Sequence, residues 1–281
     1  MMLRMLLSMM RVSLVALGLV AGLWVHAAMA VDITFTDIFN FRAHRSPNVA
    51  GLLVGDVNVI GANSITPSGP GTTVQATQGG ITYDLTLHPY TIFPDLYAVV
   101  PSPLFNPTLT GPWMLTAIDA TGSISAFTNA IPTPKLIPLV TGITIGGDPL
   151  MPTLGWTLPD LTGFDVNRVS VRVRDLDNRV VASQVADLIF SSTNLGIGAT
   201  SYTLPAGILE YGGHYSFEVL MENFQTGSSG ELTFLLNRSE TFSDPFAPTP
   251  EPATVLLLGA TLLGLGAAIW KRPGDRTPVA A

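Results

Sequence analysis

Residues 168–185 read RVSVRVRDLDNRVVASQV. Across residues 168–174 every second position is valine, and the positions between are arginine or serine. Successive side chains of an extended chain point to opposite faces, so this stretch has one apolar and one polar face, the pattern of a half-buried strand. Asp175, Asp177 and Asn178 supply turn chemistry, because their short side chains bond nearby backbone amides. Residues 180–185 then run back, so the whole is expected to form a β-hairpin. The same period recurs outward from it. Tyr83, Leu85 and Leu87 alternate with Asp84, Thr86 and His88, and Tyr215, Phe217, Val219 and Met221 alternate with His214, Ser216 and Glu218. No stretch of residues 31–250 sustains a helical period. Short strands punctuated by Gly, Pro, Asn and Asp make this body all-β.

The chain has 281 residues, of which only 12% are charged, against about 25% in ordinary soluble proteins. Its apolar surplus is concentrated at the two ends. Residues 31–250 hold 18 acids and 8 bases, a net charge of −10. A body so acidic lacks the clustered cations that phosphate neutralisation needs, which argues against nucleic acid as a partner. With no cysteine in the chain, disulfides, thiolate metal sites and a cysteine nucleophile are excluded.

Both ends point to a membrane. Arg4 and Arg11 flank the start of an apolar run over residues 12–25, and Ala28-Met29-Ala30 is a small-residue cleavage site. This is the layout of a signal peptide cut after Ala30, an uncleaved anchor being the alternative. Residues 253–270 contain no charge. As a helix they would reach roughly 27 Å, close to the ~30 Å hydrocarbon core. Trp270 falls where an interfacial aromatic belongs, and Lys271 and Arg272 serve as a basic stop-transfer pair with residues 271–281 as a cytoplasmic tail. Pro250 and Pro252 prevent a helix from extending upstream. A core helix of this length would show a polar face, and residues 253–270 show none. Ala260, Gly264 and Ala268 add a small-residue stripe of the kind common in Gly/Ala-rich spans.

Pro250-Glu251-Pro252, the Leu/Gly-rich span and the basic pair, in that order within residues 248–276, resemble a PEP-CTERM sorting signal. The resemblance implies export through the inner membrane of a Gram-negative cell and an exosortase-like membrane protease as partner, acting near the Pro-Glu-Pro step. It further implies transient anchoring through residues 253–270 and a surface or extracellular destination linked to exopolysaccharide and biofilm matrix. The basic cluster is here a bare pair, and residues 273–281 follow it. A retained single-pass anchor is therefore the competing outcome.

Three prolines fall within residues 131–138, the composition of a semi-extended linker. The expected organisation is a β-sandwich over residues 31–131, a linker over 132–138, a second sandwich over 139–245 and a spacer over 246–252. Each sandwich has about 100 residues, the size of an immunoglobulin-like module. Trp156, Tyr202-Thr203-Leu204-Pro205 and the run LEYGGHY at residues 209–215 are similar to the fibronectin type III pattern. That resemblance implies a core role for Trp156 and makes Tyr215 a tyrosine-corner candidate, its hydroxyl bonded back to the chain. The run GPWMLTAIDATG at residues 111–122 resembles the late strand and turn of bacterial Ig-like modules. The fold expected is two immunoglobulin/fibronectin III-like sandwiches in tandem, between a signal peptide and a transmembrane helix.

The body offers little catalytic chemistry. His44, His88 and His214 are scattered without metal-ligand spacing. His88 and His214 fall on the polar side of their strands and are expected to face solvent. His44, between Arg42 and Arg45, is expected in an exposed basic loop, with contact to an anionic sugar as the alternative. Asp175, Asp177 and Asn178, with Asp160 and Asp165 in support, could contribute to a calcium site, but such a site needs 6 to 8 oxygens, and a hairpin turn explains them. There is no G-x-S-x-G elbow and no phosphate-cradling loop. Tyr90, Phe93, Tyr97, Phe105 and Trp113 could form a sugar-stacking platform, though aromatics in strand-rich chains more often fill the core. The expectation is a non-enzymatic envelope or matrix protein with no cofactor and no metal. The alternatives are a carbohydrate-binding module for exopolysaccharide and a surface glycoside hydrolase whose carboxylates converge in space.

Overall fold

β1 (Thr34–Arg45) and β2 (Gly55–Thr66) are long antiparallel neighbours, with Ile38 opposite Ala62 and Arg45 opposite Gly55. The computed structural model describes residues 34–66, 71–119, 122–131, 135–181, 183–226 and 233–250. Ala28, Ala30, Glu251, Pro252, Lys271, Arg272 and the apolar runs beside them lie outside the described residues. The first half continues with β3 (Thr73–Gln78), β4 (Ile81–Asp84), β5 (Thr86–Tyr90), β6 (Phe93–Val99), β7 (Met114–Asp119) and β8 (Gly122–Phe127). The second half supplies β9 (Thr141–Asp148), β10 (Met151–Thr157), β11 (Arg168–Arg179), β12 (Ala186–Ser191), β13 (Ser201–Thr203), β14 (Tyr215–Thr226) and β15 (Thr233–Phe242). One 3-10 turn, Pro107–Leu109, is the only helical element among the described residues, and no helix there is long and apolar enough to cross a membrane. The described chain is all-β.

The strands form three sheets. A four-stranded sheet in the order β4-β3-β7-β8 comes wholly from the first half, and a three-stranded sheet, β13-β10-β9, wholly from the second. The third sheet has eight strands in the order β12-β11-β14-β15-β1-β2-β6-β5, four from each half. Its two contributions join where β1 runs parallel to β15, Arg42 beside Asn237 and Arg45 beside Glu240. The halves expected to be separate modules thus share their largest sheet. Of the expected linker, residues 132–134 lie outside the described residues. The rest is laid across that joint. The Lys135 carbonyl accepts from Asn237 at 3.0 Å, the Ile137 carbonyl from His44 at 2.9 Å, and Ile137 and Val140 are buried.

Each small sheet covers part of one face of the large sheet. Val74, Ala76, Trp113, Leu115 and Ala117 pack on Ile38, Ile60, Ala62 and Tyr97 to form one core. Leu154 and Trp156 pack on Val169, Val171, Val173, Phe217, Val219 and Met221 to form the other. The alternating apolar faces read in the sequence are the faces that build these cores. Tyr83, Leu85 and Leu87 all pack in the first core, but not as one strand. The Leu85 amide donates to the Val74 carbonyl at 2.8 Å, after which the chain leaves the small sheet as β4 and enters the large sheet as β5.

The opposite face of the large sheet is not exposed, because the sheet curls until its edges meet. Thr91, in the turn after β5, donates its amide to Asp187 of β12 at 2.9 Å and its hydroxyl to the same carboxylate at 2.6 Å, and the Ile92 amide donates to the Leu188 carbonyl. Eight strands so closed enclose a small interior. Residues 46–54 fold over one end, where Leu52 packs with Val180, Val185 and Phe93, and Arg179 donates to the Val49 carbonyl. This corrects the hairpin expected at residues 168–185. β11 extends to Arg179, residues 180–185 form the turn, and the return strand is β12. Val180 and Val185 are turn residues held by burial, with Gln184 in a left-handed conformation at φ 58° between them.

Candidate functional site

The curled sheet turns its polar face inward. Cross-strand partners lie on the same face, and the pairs Arg168–Glu222, Arg172–Glu218 and Ser170–Leu220 between β11 and β14 continue as Glu222–Arg238 and Leu220–Glu240 between β14 and β15. The parallel joint then adds Arg45 beside Glu240. Five guanidiniums (Arg45, Arg168, Arg172, Arg174, Arg238) and three glutamates (Glu218, Glu222, Glu240) are brought together, and with Asp37, which lines the adjoining cavity, one positive charge is in excess. The glutamates are fully buried, with Glu218 at 0% exposure.

The pairing within this cluster is uneven. Arg45 Nε donates to Glu240 at 2.5 Å and Arg174 Nε to Glu218 at 3.1 Å. Arg238 reaches Glu222 at 2.6 Å and Glu240 at 3.3 Å, and Arg168 lies 3.3 Å from Glu222. Arg172 comes no nearer than 3.9 Å to Glu218, and its Nε has no hydrogen-bond partner. Burial alone would push the Glu240 carboxyl up, but attraction to Arg45 and Arg238 outweighs it and holds the group at about 2. Burial pulls Arg172 down to about 10, helped by repulsion from Arg238 and opposed by the three glutamates. Burial also opposes the charge on Arg174, but Glu218 raises it above its ordinary value. Aromatic rings complete the setting. The Arg238 guanidinium stands 4.8 Å from the Phe41 ring, Arg168 5.0 Å from Phe224 and Arg174 5.5 Å from Tyr90, distances at which the ring face attracts a cation.

Beside this cluster the barrel holds a cavity of about 440 Å³. Phe39, Phe41, Val59 and Leu96 make part of the β1–β2–β6 side apolar, where Asp37, Arg45 and Asn63 also line it, and Arg168, Arg172, Arg174 and Arg238 make the β11–β15 side mainly basic beside Glu240. Gly61 makes room for the Phe39 ring in this wall. Phe39 is its cross-strand partner, and a Cβ at Gly61 would stand 2.6 Å from the Phe39 ring. His88 also lines the cavity, its ring stacked 6.0 Å from Tyr90. Burial lowers its pKa, the Ala98 backbone opposing and Arg174 adding to the effect.

Several sequence expectations change here. His88 does not face solvent, because the polar side of β5 is the inside of the barrel. His44 is not in a loop. It is half-buried on β1 and bound to the Ile137 carbonyl. His214 is exposed, paired with Asp177 at 2.9 Å. Asp175 accepts from the amides of Asp177 and Asn178 at 2.9 and 3.3 Å, so its carboxylate closes a tight bend, and Asp160 binds the Thr162 amide. Among the described residues no three His, Asp or Glu side chains are grouped to hold a metal. The five aromatics do not form one platform. Tyr97 and Trp113 are in the first core, Tyr90 and Phe93 belong to the cluster at the barrel edge, and Phe105 lies under Arg42 at 4.0 Å. The Tyr215 hydroxyl accepts the Glu210 amide at 3.1 Å, five residues upstream. Pro250 is exposed.

No family model matches this chain, and no characterised protein sequence matches it. Among solved structures it is similar to domains A168-A170 from titin, at 14% identity and a TM-score of 0.28, over 76% of this chain and 62% of that one. The alignment spans less than two thirds of that structure, and a score this low carries no argument about fold or function.

Proposed function

We propose that this chain is an exported, non-enzymatic protein of the cell envelope or extracellular matrix, delivered by a PEP-CTERM-type signal and associated with exopolysaccharide or biofilm. The observation that carries the reading is the ordered set at residues 250–272, a Pro-Glu-Pro step, an uncharged span and a basic pair, behind an N-terminal export signal. The fold gives it support. Phe246 pairs with Tyr215 in an isolated bridge, the Pro248 carbonyl accepts the Gly212 amide at 3.3 Å, and Thr249 and Pro250 then stand exposed. The contact at Pro248 lies two residues before the motif and Pro250 itself is exposed, which suits recognition there by a membrane protease. Within the charge cluster one carboxylate is unsuited to proton transfer. A general acid or base works best with a pKa near the operating pH, whereas Glu240 is held at about 2. Mass analysis of the mature C-terminus tests the sorting claim. A chain ending near Pro252 is expected, and one that keeps residues 253–281 in cells with an active exosortase overturns it.

A further inference from the structure

We propose that the barrel cavity is a binding site for a small amphiphile with a single anionic head group, the head held by Arg172 and the apolar body lying against Phe39, Phe41, Val59 and Leu96. The inference stands on the fold alone and does not depend on how the chain is exported.

Three observations carry it. The first is size, since about 440 Å³ falls within the ~300–1,000 Å³ range of small-molecule sites. The second is the charge balance. Counting Asp37, which also lines the cavity, five guanidiniums face four carboxylates, one positive charge in excess, and the Nε atoms of Arg168, Arg172 and Arg238 lack hydrogen-bond partners. Arg172 is the most weakly paired of these cations. It makes no hydrogen bond to a carboxylate, its side chain is only 14% exposed, and it lines the cavity. A guanidinium withdrawn from water whose nearest carboxylate stands 3.9 Å away without a hydrogen bond is only partly compensated, and an anion reaching it adds charge-assisted, fork-shaped hydrogen bonds. The third is that the wall combines the arginines of β11 and β15 with the aromatic and aliphatic residues of β1, β2 and β6, among which Asp37 and Asn63 also stand. A neutral sugar would leave the excess charge unmatched, and a cation would be repelled. An anionic head joined to an apolar body matches both sides at once.

The ends of the barrel differ in a way that suits entry. Residues 46–54 and the turn at 180–185 close one end. At the other end of the same strands stand Arg168, its side chain 32% exposed, and Phe224 stacked beneath it. A cation over an aromatic ring at the mouth presents the two ligand chemistries in the order that the interior repeats.

The test is calorimetric titration of the full chain in lipid nanodiscs with decanoate, decanol and decyltrimethylammonium, empty nanodiscs being subtracted. Saturable one-to-one binding of decanoate is expected, with the neutral and cationic probes weaker by about tenfold or more, the scale of one charge-assisted contact. Arg172→Gln should weaken decanoate by at least about tenfold while leaving decanol unchanged. Ala98→Leu, which fills the cavity from β6 and keeps every charge, should abolish binding, and it decides the matter if Arg172→Gln fails to fold. Decanoate binding equally to wild type and both variants, decanol binding as tightly as decanoate, or no saturable heat would each overturn the proposal.

Discussion

Replacing Glu240 with glutamine should cost this fold about 3 kcal/mol at neutral pH. The carboxylate is 1% exposed and lies between Arg45 and Arg238, at 2.5 and 3.3 Å. Burial works against its charge, yet the two guanidiniums bring its pKa from 4.5 down to about 2. Each pKa unit corresponds to about 1.4 kcal/mol, so the ionised form is favoured by about 3 kcal/mol, within the ~3–5 kcal/mol seen when one partner of a buried pair is removed. Glutamine keeps the shape and one acceptor, but leaves Arg45 without its carboxylate and Arg238 with Glu222 alone. Because the folded pKa is depressed, the contribution is complete above the unfolded pKa near 4.5 and is lost as pH falls through about 2. Urea unfolding of wild type and Glu240→Gln, followed by near-ultraviolet circular dichroism, should show the full gap at pH 7 and a smaller one at pH 3. The double variant Arg45→Met/Glu240→Leu should recover most of the loss, since a packed apolar pair can replace a buried ion pair. A gap below about 1 kcal/mol at pH 7, or one unchanged between pH 7 and pH 3, would refute the reasoning.

Two further outcomes are expected from the shared sheet and its packing. Variants keeping only Trp113, buried in the first core, or only Trp156, buried in the second, should unfold at the same urea midpoint, because both cores stand on one sheet; two separate midpoints would show that the halves melt independently. Gly61→Ala places a methyl 2.6 Å from the Phe39 ring and closer still to the Tyr97 carbonyl, so it should lower stability by about 1–3 kcal/mol, and an unchanged melting temperature would mean that the barrel wall yields there.

Much of the fold was legible in particular residues, and the missing part has a physical explanation. The valines at 169, 171 and 173 and the residues at 217, 219 and 221 declared their buried faces by period alone. What period 2 leaves open is what lies against the other face. A polar strand face usually meets solvent, as expected for His88, and only the curl of an eight-stranded sheet turns the arginines between those valines inward. One signal was present. Five of the eight bases in residues 31–250 belong to the cluster, and Arg168 and Arg172 on one strand match Glu222 and Glu218 on the next by spacing and sign. The remainder was beyond reading in one dimension, since Arg45 and Glu240 are 195 residues apart and no local pattern links them. The same limit hid the joint between the halves. The prolines near 132–138 are real punctuation, but punctuation marks a change of direction and does not show that the second half folds alone. The cavity was hidden for a like reason, because its wall draws residues from strands far apart along the chain.

The parallel pairing of β1 with β15 sets a schedule for the molecule. Ribosomes deliver the opening strand long before the closing one, so β1 must wait with one edge bare while nearly two hundred residues arrive. Unsatisfied edges invite pairing with other chains, and contacts so distant along the polymer form slowly. Completion therefore hinges on the last strand, and only a handful of residues separate that strand from the Pro-Glu-Pro step. A cut made before β15 has docked would release an unfinished body; one made afterwards would release a sealed one.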